Sequence, residues 1–145
     1  MTTLLVDTSV LVKWFHAEGE GEIDAARALR SSHVTGVVEA RVLDLAVYEL
    51  GNVLVRGLRW AADDVAEQLR DLLTLVSTPL VMSPDWIDQA ARLAVEHGLT
   101  FADASWAAAA AELEVSLVSA DRLLLRSGLA VSPTDAVERL GLLRR

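Results

Sequence analysis

Thr3-Leu4-Leu5-Val6-Asp7-Thr8-Ser9 decides how this chain is read. The short apolar run Thr3 to Val6 ends in a polar cluster, the pattern of a buried strand. Asp, Thr and Ser are all good helix caps, because their side-chain oxygens accept otherwise unbonded backbone N–H groups. Strand and cap in direct succession predict a helix through Val10-Leu11-Val12-Lys13-Trp14-Phe15 that breaks near Gly19. Asp7 then sits just past the carboxyl end of a strand, where open α/β sheets gather functional groups.

The pattern recurs near the other end of the chain. Val115-Ser116-Leu117-Val118 reads as a strand, and Ser119-Ala120-Asp121 opens a helix through Leu125. Between these two units the periodicity predicts helices at Glu22 to Leu29, Ala46 to Leu58, Ala62 to Val76, Pro84 to about His97, and Phe101 to Leu113. The last of these is apolar almost all round and should be central and buried. Arg41-Val42-Leu43 and Leu129-Ala130-Val131 are weaker strand signals, and Ser132-Pro133 starts a terminal helix over Thr134 to Leu140. Short strands separated by helices imply right-handed crossovers and a parallel sheet between helical layers.

The chain has 145 residues, which suits one compact domain over 1–145 with a real core. Apolar residues form 52% of it, so disorder is not expected. There is no cysteine, which excludes disulfides and thiolate metal sites and suits a cytoplasmic location. Met1 to Val6 has no basic flank and does not read as a signal peptide. The longest apolar run, Trp106 to Ala111, is too short to span a bilayer, so no membrane association is expected. The formal charge of −8 argues against a broad basic face for nucleic acid, yet it fits a chain that concentrates carboxylates around a cation.

Four acids stand out. Asp7 and Asp121 follow strands, and either could be an ordinary helix cap. Asp103 opens the most apolar helix of the chain, where the helix dipole alone would favour it. Glu49 has no capping role. Its neighbours one turn away are Leu45, Ala46, Asn52 and Val53, so it lies on or beside an inward face. A carboxylate there needs a partner, Arg41 or Arg56, or a cation. Carboxylates brought together repel and resist ionisation. A hard divalent ion relieves both costs, and oxygen-only ligation favours Mg²⁺ or Mn²⁺ over zinc. No HExxH, P-loop or GxGxxG is present.

The segments Leu5-Val6-Asp7-Thr8-Ser9-Val10-Leu11, Val47-Tyr48-Glu49-Leu50-Gly51-Asn52-Val53-Leu54, Leu99-Thr100-Phe101-Ala102-Asp103-Ala104-Ser105 and Leu117-Val118-Ser119-Ala120-Asp121-Arg122-Leu123 resemble, in order and spacing, the PIN-domain nucleases of the VapC toxin type. The resemblance covers essentially the whole chain. It implies a three-layer α/β/α fold with a parallel sheet of four to five strands, Mg²⁺- or Mn²⁺-dependent cleavage of RNA such as tRNA or rRNA, a cognate antitoxin and a homodimer. Asp7, Glu49, Asp103 and Asp121 take its acidic positions, and Ser119 takes a position that often holds Thr. Ala102 stands where an aromatic residue is common.

In this reading Asp7 and Asp103 hold the principal metal, helped by Asp121 directly or through water, and Glu49 binds a second metal or orients the attacking water. Lys13, Arg56, Arg59, Arg122 and Arg126 are the candidate phosphate contacts. Trp14 and Trp60 are candidate base-stacking residues, although such residues are more often core or dimer-interface residues. The alternatives are a PIN-like binding module without catalysis and a structure-specific DNA nuclease of the same superfamily. A phosphorelay receiver fits poorly, since it requires a late lysine and Lys13 is the only lysine here.

Overall fold

The computed structural model describes residues 1–142; the last three positions of the predicted 1–145 domain lie outside the described residues. The first strand, β1 (Thr2–Val6), pairs in parallel with β2 (Val38–Arg41) on one side and β3 (Ser116–Val118) on the other. In register, Leu4 faces Ala40, and Leu5 faces Leu117. Successive strand residues point to opposite faces. Leu4, Leu5 and Val6 are nevertheless all buried, so both faces of the central strand are covered.

Helices supply that cover. Along the chain they are α1 (Thr8–Phe15), α2 (Ile23–Val34), α3 (Leu45–Asn52), α4 (Ala62–Leu75), α5 (Pro84–His97), α6 (Phe101–Leu113), α7 (Arg122–Arg126) and α8 (Pro133–Leu140). α2 packs against α1, α8 and β2, while α5 packs along α6. The seven consecutive residues Ala104 to Ala110 of α6 are all buried, as the sequence predicts for a central helix. α5 ends at Gly98, whose φ of 66° is the left-handed turn that glycine adopts without strain.

The sheet has three strands among the described residues, not four to five. The two missing strands are reduced to single parallel bridges, Leu43 with Leu80 and Val118 with Val131. Pro84 and Pro133 explain why. Each starts a helix within four residues of the bridge, so the extended segment turns away before a ladder can grow.

Three boundaries also differ from expectation. β2 begins at Val38, earlier than the predicted Arg41, and the bridge of Leu43 continues its line. α2 runs on to Val34. There His33 ties three elements together: its Nδ1 accepts from the Ala40 N–H at 3.0 Å, which leaves the hydrogen on Nε2 for the Leu75 carbonyl at 2.7 Å. The predicted helix Ala46 to Leu58 is two pieces. α3 stops at Asn52, and Val53–Gly57 forms a wider π-helical turn closed by Leu58 N–H to the Val53 carbonyl at 2.9 Å.

Because β1 is central and the chain reaches its two neighbours by separate crossovers, a crevice opens beyond its carboxyl end. Asp7 stands at that point.

Candidate active site

Asp7 is held before any ligand arrives. Its own N–H extends the sheet to the Val118 carbonyl at 3.1 Å. Its carboxylate caps α1, accepting from the Ser9 N–H at 3.0 Å and the Ser9 hydroxyl at 2.5 Å. The Ser9 oxygen in turn accepts from the Ala120 N–H at 2.9 Å, which ties the exits of β1 and β3 together. Only 4% of Asp7 is exposed. That burial pushes its carboxyl up from 3.8 to about 6, with a smaller push from the Glu49 charge; the Ser119 and Ser9 hydroxyls act the other way.

Ser119 is fully buried, and its oxygen accepts from the Asp121 N–H at 2.9 Å. It therefore orders the acids from behind rather than facing the crevice. Asp121 caps α7 by accepting from the Leu124 N–H at 3.0 Å. Asp103 lies in the first turn of α6, whose cap is Thr100. Its carboxyl is raised first by burial and then by the nearby charges of Asp121 and Glu49.

Glu49 is anchored by two neutral donors rather than by Arg41 or Arg56. Its Oε1 accepts from the Thr8 hydroxyl at 2.8 Å and from the Trp106 indole N–H at 3.1 Å. Both bonds converge on one oxygen, which leaves Oε2 without a protein donor among the described residues. Sequence reasoning missed both anchors. A signal for one existed: Trp106 follows Asp103 by three positions, so a helix places both on the same face.

All four acids line one cleft of about 360 Å³, and among the described residues no basic side chain lines it with them. The predicted phosphate contacts lie elsewhere. Lys13 is buried in an ion pair with Glu20 at 2.9 Å. Arg56, Arg59, Arg122 and Arg126 are exposed and do not line the cleft. Trp14 is a core residue, and Trp60 borders a separate hollow beside α4.

The donor set fits a hard divalent cation. It is oxygen-only, carries up to four negative charges, and includes one carboxylate so buried that it resists ionisation. Among the described residues no three carboxylate or histidine groups are drawn together tightly enough to form a ready coordination shell. Mg²⁺ commonly keeps several of its waters, so carboxylates spread around a cleft can hold it partly through water.

A parallel sheet with four acids gathered past its central strand is an α/β arrangement that the comparisons assign to a family. Residues 4–129 match the PIN domain family, and the chain belongs to that family. Exonuclease VapC9 of Pyrobaculum aerophilum is 40% identical over 84 residues, 58% of this chain and 63% of that protein's length. The chain thus matches less than two thirds of this relative. Among solved structures, PAE2754 from Pyrobaculum aerophilum superposes with a TM-score of 0.66 at 31% identity, covering 97% of both chains. A toxin-antitoxin complex from Klebsiella pneumoniae gives a TM-score of 0.65 at 18% identity, over 90% of this chain and 97% of that one. FitAcB from Neisseria gonorrhoeae gives 0.67 at 20% identity, over 90% and 98%. The last two similarities speak to the fold alone.

Proposed function

We propose that this protein is a Mg²⁺- or Mn²⁺-dependent endoribonuclease and the toxin of a toxin–antitoxin pair. One observation carries the reading: carboxylates from four distant points of the chain line a single cleft, and among the described residues no basic side chain lines it to neutralise them. Asp7, Asp103 and Asp121 would hold the ion, with Glu49 beside them. When bound, the ion supplies a Lewis acid for the scissile phosphate and makes a water acidic enough to act as nucleophile near neutral pH.

The chain's own groups do the rest. Ser9 fixes the Asp7 carboxylate, and Ser119 fixes the backbone that presents Asp121. Thr8 and Trp106 clamp Glu49 through Oε1, so its free Oε2 orients the attacking water and can take its proton. In-line attack by water leaves a 5′-phosphate and a 3′-hydroxyl and does not use the RNA 2′-OH.

An antitoxin partner is part of the same proposal, and the toxin-antitoxin complex of the same fold supports it. A homodimer and a cytoplasmic location belong to the same proposal. No described helix is long and apolar enough to cross a membrane.

The test is incubation of total cellular RNA with the purified protein and Mn²⁺ or Mg²⁺, with EDTA as control. Fragments ending in 5′-phosphate are expected, and EDTA should abolish them. Products bearing 2′,3′-cyclic phosphate would remove the mechanism. The relative's name is an exonuclease, so a circular RNA decides the mode of cutting: an endonuclease linearises it, and an exonuclease leaves it intact.

A further inference from the structure

α3 carries a second stripe that neither the core nor the four carboxylates explain. Tyr48, Asn52 and Val55 are spaced by four and three positions, which sets them along one line of a helical chain. Tyr48 is 75% exposed and Val55 is 52% exposed. The same stretch buries Ala46, Leu50 and Leu54, so its packing duty falls on other residues. The stripe lines a hollow of about 500 Å³, and Glu49 and Asn52 border both this hollow and the acidic cleft. The hollow and the cleft are therefore neighbours, separated by the wall that Glu49 and Asn52 form.

The hollow's chemistry is less acidic than its neighbour's, with Glu49 the one charged residue among its described lining. None of the three stripe residues is ionised, in a chain whose formal charge is −8. A polyanion entering the acidic cleft meets like charge, whereas its uncharged parts meet none along this stripe. A phenol ring offers a stacking face, and a neutral amide offers both a donor and an acceptor. These are the groups that recognise an unpaired base. The wider π-helical turn, which starts just after Asn52, carries Val55 and the exposed Arg56.

We propose that Tyr48, Asn52 and Val55 form a nucleobase subsite, in which the Tyr48 ring stacks on a base next to the scissile phosphate and the Asn52 amide meets its edge. This rests on the ribonuclease reading above. It implies a single-stranded substrate at the cut, because a paired base has no free face to stack. An RNA strand seated in the acidic cleft would need to cross only the wall of Glu49 and Asn52 to place a base on Tyr48.

The experiment is steady-state cleavage of a short single-stranded RNA with Mn²⁺ by the wild type, Tyr48→Phe and Tyr48→Leu, with the mass of each protein in solution measured alongside. Base–aromatic stacking is worth roughly a five- to hundredfold change in binding. Tyr48→Leu should raise KM by that factor, and Tyr48→Phe, which keeps the ring, should restore it to within about threefold of wild type. An unchanged KM in Tyr48→Leu would overturn the subsite. So would a fall in solution mass shared by both variants, which would make the stripe an interface between copies. A wild type that cuts no RNA would remove the ribonuclease reading itself, and this inference with it. A wild type that cuts, beside an unaltered Tyr48→Leu, removes the subsite alone.

Discussion

Metal-free Asp7→Asn protein should melt several degrees above the wild type at pH 7.5 while cleaving RNA on the order of a hundred- to a thousandfold more slowly. The stability half follows from burial. The Asp7 carboxyl is raised from 3.8 in the unfolded chain to about 6 in the fold. The folded state thus prefers the protonated acid. Its favourable contribution is complete below pH 3.8, falls as pH rises, and is gone above about 6. A shift of this size corresponds to roughly 3 kcal/mol.

Asparagine keeps the Ser9 cap, since its carbonyl oxygen accepts the same N–H, and it carries no charge to bury. A gain of about 1–3 kcal/mol at pH 7.5, a few degrees per kcal/mol, is expected. The advantage should vanish by pH 4, where wild-type Asp7 is mostly protonated in the fold. Thermal melts at the two pH values check this. Equal melting temperatures at pH 7.5 would mean that Asp7 ionises at no cost.

Trp106→Ala should be the most damaging single truncation at the site. Trp106 is 1% exposed and sits in the wholly buried stretch of α6. Removing a buried Trp side chain costs roughly 3–5 kcal/mol, a large share of the stability of any domain this size. Trp106→Phe separates packing from hydrogen bonding. It keeps most of the ring and removes the indole N–H that holds Glu49. Denaturant titration should show a loss of about 1–3 kcal/mol. Activity should fall on the order of ten- to a hundredfold, the usual cost of losing a group that orients a metal-site carboxylate. A folded Trp106→Phe enzyme with full activity would mean that the indole does not position Glu49.

The parts of the fold that could be read from the sequence are those where local and long-range signals agree. Thr3 to Ser9 reads as strand and cap because its apolar run and its capping residues coincide, and Asp7 falls where expected. Gly98 and Pro84 bound α5 correctly because each imposes its own backbone angle. The edge strands were overcounted for a tertiary reason. Leu80 and Val131 do bond to the sheet, but how many bridges form depends on where Pro84 and Pro133 redirect the chain. The break of α3 at Asn52 leaves no composition signal at all, since Val53 to Leu58 continues the helical pattern.

The site divides in the same way. The meeting of the four acids at one cleft was legible because three of them fall at strand ends or helix starts and Glu49 falls on or beside an inward helix face. Their anchors were not. Which donor reaches Glu49 depends on where the fold sets α1 and α6 relative to α3, and the sequence itself pointed to Arg41 and Arg56 rather than to Thr8 and Trp106. Lys13 shows the converse error: its charge suggested phosphate, and Glu20, seven residues on, claims it.

Calorimetric titration of Mn²⁺ at pH 7.5 into wild-type and Asp7→Asn protein reaches the root of this account. Saturable binding by the wild type, lost or greatly weakened in the variant, is the expected result. Failure of the wild type to bind would show that the carboxylates around the cleft serve the fold alone and form no cation site, and equal binding by the two proteins would show that Asp7 is not one of its ligands.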